Sequence, residues 1–214
     1  MKAALAVACT LLLLAACSST PPPPDWQASA SGAVDRAVAA YLQGRSSVAD
    51  AEFRLARSEL TRTGDAAQVA LAELTRCALR VASADFGPCE GFEPLRADAT
   101  PAQRAYADYL ANRLAPGDAA LLPLPQRAVA TSGAAALAGI EDPLSRLVAT
   151  GVLFRAGRAD RTAIAQAVDT ASAQGWRRPL LAWLNVELAL AEKAGDSAAA
   201  EQLRRRIALT GGTR

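Results

Sequence analysis

The chain has no histidine, and that absence excludes more chemistry than any other. Ser-His-Asp and Cys-His nucleophilic catalysis need an imidazole to carry the proton, and most zinc and haem sites need one as a ligand. No Gly-x-Ser-x-Gly elbow, Ser-x-x-Lys pair, P-loop or Gly-x-Gly-x-x-Gly fingerprint occurs either. Aromatic residues are only 5% of the chain and β-branched runs are nearly missing, which argues against sheet. Lysine is confined to Lys2 and Lys193, so the positive charge is almost all arginine. The net charge of +2 gives no global pull on nucleic acid or anionic lipid. A glycosidase-type carboxylate pair needs only two acids, but the candidates Glu73 and Glu187 fall in helical segments, where surface charge or ion pairing is the ordinary role. The expectation is a non-enzymatic protein with no cofactor and no metal.

The segment that carries the strongest signal is the first one. Met1-Lys2 supplies a positive charge and Ala3 to Leu14 an apolar stretch. That stretch is shorter than the roughly 20 apolar residues a membrane-spanning helix needs, and small residues follow it, which is the pattern of a secretory signal. Leu14-Ala15-Ala16-Cys17 resembles the lipobox of bacterial lipoproteins, with all four motif positions matched. The resemblance covers residues 1–17. It implies cleavage after Ala16 (a signal peptide over 1–16), diacylglyceryl attachment to the Cys17 thiol and acylation of the new N-terminus. Several acyl chains anchor stably where one would bind only marginally. An Asp after the lipidated Cys favours inner-membrane retention in Gram-negative lipoproteins; Ser18 stands there instead, so the resemblance implies the outer membrane, facing the periplasm. Ser18 to Asp25, with prolines at 21–24, reads as an extended polyproline tether, and residues 17–30 are expected to form the lipidated N-terminus and spacer.

Beyond Cys17, the exported part holds Cys77 and Cys89, in a chain bound for an oxidising compartment. Cys77 shares a helical stripe with Ala70, Leu74 and Val81, and Cys89 lies in the Gly/Pro-rich run Asp85 to Phe92. A bridge would pin that loop onto its parent helix. A redox-active or metal-binding pair is the rival reading, although the spacing is not Cys-x-x-Cys.

From Ser31 on, alanine and leucine at helical spacing predict helix after helix, an all-α protein. Residues 31–114 form an N-terminal helical part with the cysteine loop, 115–125 a proline-rich connection, and 126–210 a C-terminal helical part. Thr100-Pro101-Ala102-Gln103 is a capping box with proline at the first helical position, opening a helix to about Leu114. One further helix is expected near Gln126–Ile140. A joint recurs at Gly64-Asp65, Gly157 to Asp160 and Gly195-Asp196: glycine ends one helix and aspartate caps the next. The last two joints are about 37 residues apart, and residues 142–209 resemble tetratricopeptide repeats, with Ala200 placed as in that family's second helix. The resemblance implies helical hairpins stacked as a solenoid; an irregular helical bundle is the alternative.

Trp176-Arg177-Arg178, at a turn between hairpins, has the composition of an interface anchor and is the candidate partner-binding site, with burial of the tryptophan as the plainer reading. Arg204 to Arg206 complement a helix C-terminus, and Glu201 can pair with Arg205. The reading that results is an interaction scaffold or assembly factor, held to the membrane by lipid on Cys17, with an envelope protein as partner and no nucleic acid. An apolar-ligand or lipid binder is the alternative, separable by whether the helices enclose an apolar cavity.

Overall fold

The computed structural model describes residues 24–211. The expectations for the signal segment, the lipobox with Cys17 and most of the spacer lie outside those residues. Among the described residues the protein is all-helical, as the composition predicts, without a strand. The helices are α1 (Asp25–Leu42), α2 (Ser46–Thr61), α3 (Ala66–Ala82), α4 (Pro101–Leu110), α5 (Leu124–Ser132), α6 (Pro143–Arg155), α7 (Arg161–Ala173), α8 (Arg177–Lys193) and α9 (Ser197–Gly211). Three 3₁₀ segments, Glu93–Leu95, Asp118–Leu121 and Gly133–Gly139, lie between them.

Local chemistry sets the starts of these helices. Asp65 accepts from the Ala67 N–H at 2.9 Å, Asp160 from Ala163 at 2.7 Å, and Asp196 from Ala199 at 3.0 Å. Each follows a glycine (Gly64, Gly157, Gly195) with φ between +67° and +72°, the left-handed conformation that closes the preceding helix. The capping box forms in both directions, Gln103 N–H to Thr100 Oγ1 at 3.2 Å and Thr100 N–H to Gln103 Oε1 at 3.0 Å. Gln103 Nε2 also donates to the Ala67 carbonyl at 2.7 Å, tying the start of α4 to the start of α3.

Three boundaries differ from expectation. The spacer does not run to residue 30: α1 begins at Asp25, whose carboxylate suits a helix N-terminus, and Ala30 is already buried. Helix α4 stops at Leu110, where Asn112 takes φ +55° and Arg155 Nη1 donates to the Leu110 carbonyl at 3.2 Å. The single helix expected over 126–140 is broken at Gly133, and a 3₁₀ segment follows.

Alanine does much of the packing. Ala33, Ala37 and Ala40 of α1 and Ala49 and Ala56 of α2 are buried at helical spacing, so the two helices approach closely. The main core is larger-grained: Leu74, Phe92, Leu110, Leu147, Trp183 and Leu184 are each at most 1% exposed and belong to one continuous cluster. That cluster draws on α3, α4, α6, α7 and α8, so the two helical parts flanking the proline-rich connection share one core. In a solenoid each unit touches only its neighbours. Here α3 packs across α6 and α8 reaches α1, so the hairpins close into a bundle.

The α3–α6 crossing is tight. A Cβ at Gly151 would run into the carbonyl oxygen of Val81, which is main chain and cannot swing away. One residue on, the Ala82 carbonyl accepts the Trp183 indole N–H at 2.9 Å. Gly151→Ala is expected to lower stability by about 1–3 kcal/mol through overpacking. Urea denaturation checks this, and an unchanged midpoint would contradict the crossing.

Candidate functional site

The tryptophan–arginine motif sits where three elements meet: the α1–α2 corner, the end of α3 and the start of α8. Trp176 precedes the first residue of α8, half-buried, and packs against the core beside Tyr41 and Leu144. Arg178 turns inward. Its Nε donates to the Tyr41 carbonyl at 2.9 Å, an Nη donates to Ser46 Oγ at 2.5 Å, and its guanidinium lies 4.2 Å from the centre of the Tyr41 ring. Arg177 is exposed and donates to the Gly211 carbonyl at the end of α9. Both arginines are therefore engaged within the fold, closing α8 onto α1 and α9. The sequence motif marked the right turn, but its partners, Tyr41 and Ser46, lie 137 and 132 positions away with no local signal.

Beside this corner is the cysteine loop. The sulfurs of Cys77 and Cys89 are bonded, with Cα atoms 5.7 Å apart. Cys77 faces the core as its stripe predicts. Arg80 holds the loop with a fork to Asp85, Nε to Oδ2 and Nη2 to Oδ1 both at 2.9 Å, and with an Nη1 bond to the Pro88 carbonyl at 3.0 Å. The Arg80 bonds are the largest influence on the Asp85 carboxyl and hold it below the usual range. Tyr41 is shifted up, chiefly because burial disfavours the phenolate, with Arg178 opposing. Phe86 of the loop stacks toward Phe154, which meets Trp183 edge-on at 5.5 Å between ring centres.

Among the open concave surfaces of the described residues, two bear on function. The first, of about 290 Å³, lies between α7, α8 and α9 and is lined by Arg161, Ile164, Glu187, Leu190, Asp196 and Arg206 among others. Burial pushes the Glu187 carboxyl up, partly offset by Arg206 and reinforced by Asp169, so it keeps its proton to higher pH than a free glutamate. The second, of about 260 Å³, lies between α1, α2 and α3 and is mostly apolar. Of the two acids singled out in the sequence, Glu73 is instead ion-paired with Arg57, away from the Glu187 cleft. Among the described residues, no group of three or more Cys, Asp or Glu could hold a metal ion, and no helix is long and apolar enough to cross a membrane.

No family model, curated protein or solved structure matches this chain.

Cys77→Ser is expected to cost about 2–3 kcal/mol, the loop-closure entropy of so small a ring. Denaturation with and without reductant checks it: the native protein should lose that stability on reduction, and the variant should be indifferent to reductant.

Proposed function

We propose that the protein is a lipid-anchored envelope protein whose helical bundle is a non-catalytic scaffold, docking another envelope protein near the outer membrane. The anchor rests on the match of Leu14 to Cys17 to the lipobox and on the proline spacer behind it. The Cys77–Cys89 bridge fits an oxidising compartment such as the periplasm.

The observation that carries the scaffold reading is the contrast between core and surface. The centre of the bundle is filled by Trp183, Phe92 and leucines, which weighs against an apolar-ligand carrier. The α7–α9 cleft is open and chemically mixed: arginine and carboxylate groups around Ile164, Leu190 and Leu203. A peptide or helix with apolar anchors and flanking charges suits such a surface. With Trp176 and Arg178 engaged inside the fold, this cleft replaces the tryptophan–arginine turn as the preferred docking surface.

Two measurements test the two halves of the reading. Cys17→Ser should move the protein from the membrane to the soluble envelope fraction, and persistence in the membrane would refute the lipid anchor. A photocrosslinking residue at Gln202, in the cleft, should give a discrete adduct in intact cells that Glu187→Arg abolishes. An adduct pattern indifferent to Glu187→Arg would refute docking at this cleft.

A further inference from the structure

The apolar groove between α1, α2 and α3 is lined by Trp26, Ala30, Val34, Leu60, Leu71 and Ala72, with Gln27, Ser31, Gln68 and Thr75 at its rim. Leu71 is 60% exposed, and Trp26, packed on one side against the core, is partly exposed. The other exposed leucines, Leu55, Leu121, Leu124 and Leu209, line neither of the two surfaces described above, and single exposed apolar side chains are ordinary. What distinguishes the groove is its place. Trp26 is the second residue of α1, two positions beyond the last proline of the spacer. From Cys17 to Pro24 the chain can cover at most about 25 Å, so a lipid on Cys17 keeps this groove closer to the bilayer than most of the fold.

We infer that this groove rests on the anchoring bilayer, with the Trp26 ring and the Leu71 side chain in the boundary between headgroups and acyl chains. The inference builds on the lipid-anchor reading and assigns the face that the anchored domain turns to its membrane. An amphipathic tryptophan beside an aliphatic side chain, ringed by amide and hydroxyl groups, matches that boundary layer. No cation lines the groove to draw anionic headgroups: Asp35 is the one charged residue of its lining, and Arg62, beside Trp26, is paired with Glu59 at 2.9 Å. The contact is therefore apolar in origin and should not depend on anionic lipid or on salt.

The test uses the mature full-length protein reconstituted into phosphatidylethanolamine–phosphatidylglycerol vesicles carrying brominated acyl chains, which quench tryptophan on contact. Part of the tryptophan emission should be quenched, and equally so in phosphatidylcholine vesicles with the same brominated chains. Trp26→Phe should remove that quenchable part. Leu71→Asp, at a site exposed enough to leave the fold intact, should abolish most of it while the helical circular dichroism and the acylated mass of the N-terminus are unchanged. An acylated protein whose emission is not quenched, or whose quenching survives both substitutions, overturns the inference alone. A disulfide-linked dimer through Leu71→Cys in place of quenching overturns it in favour of a second copy. A mature chain whose mass shows no acyl group on Cys17 refutes the anchor reading itself, and the groove assignment with it.

Discussion

The C-terminal end of α3 is the point on which the rest of the fold depends. Over a few residues it makes a side-chain crosslink, a helix crossing and a buried hydrogen bond. Cys77 is bonded to the loop, the Val81 carbonyl presses against Gly151 of α6, and the Ala82 carbonyl receives the Trp183 indole of α8. Arg80 and Asp85 then lock the chain as it leaves. Ala84 holds φ +51°, a left-handed conformation that costs a residue with a side chain about 1–2 kcal/mol. Such a residue persists only where its surroundings over-determine it, and here they do. The N–H groups of Ala84 and Asp85 return to the Val81 and Arg80 carbonyls, and the bridge and the Arg80 fork hold the residues on either side.

Arginine supplies the second layer of constraint. Arg127 donates to the Leu122 carbonyl at 2.8 Å, Arg146 to Ile140 through two nitrogens, Arg155 to Leu110, and Arg178 to Tyr41. In each case the acceptor lies in a loop or at a helix end, where main-chain carbonyls lack helical partners. A guanidinium suits this work because it offers several donors in a fixed plane and never loses its charge, whereas an ammonium is a single hydrated point. Several arginines are thus tied to main-chain carbonyls of the fold, while the small net charge of +2 reflects 21 acidic against 23 basic residues. A stretch such as Trp176-Arg177-Arg178, which has the composition of a surface anchor when read locally, also ties distant helices together.

That contrast also marks what the sequence could and could not reveal. Features decided locally were legible: the aspartate caps after glycine and the Thr100–Gln103 box follow from side chains that reach their partners inside one turn of helix, and the inward face of Cys77 from the apolar spacing of its own helix. Features decided by long-range packing were not. Nothing near Gly151 announces the Val81 carbonyl far upstream, and the start of α1 is invisible as periodicity because Asp25 to Ser29 carry little apolar pattern. The stretch 126–140 reads as continuous helix because its alanines favour one, yet the main chain at Gly133 turns to φ +68° and the helix ends. The cleft around Glu187 belongs to this second class. Its residues come from three helices, and the acid was visible as a residue but not as a member of a site.

The alanine content bears on what such a bundle is suited to do. Alanine buries little apolar area per residue, so an alanine-rich core stabilises less per position than a leucine- or phenylalanine-rich one. The deficit is met by close helix approach along α1 and α2, by carbonyl ties from arginine, and by one covalent bridge. The arginine ties and the bridge are directional, unlike apolar burial, and they hold helices at set positions. A domain held this way presents its surfaces in a fixed relation: the mixed cleft lies among the last three helices, and the apolar groove beside the first residues after the spacer. In the anchored arrangement we propose, the groove is the end turned to the membrane, and α7 to α9, built from the opposite end of the chain, carry the cleft left for a partner.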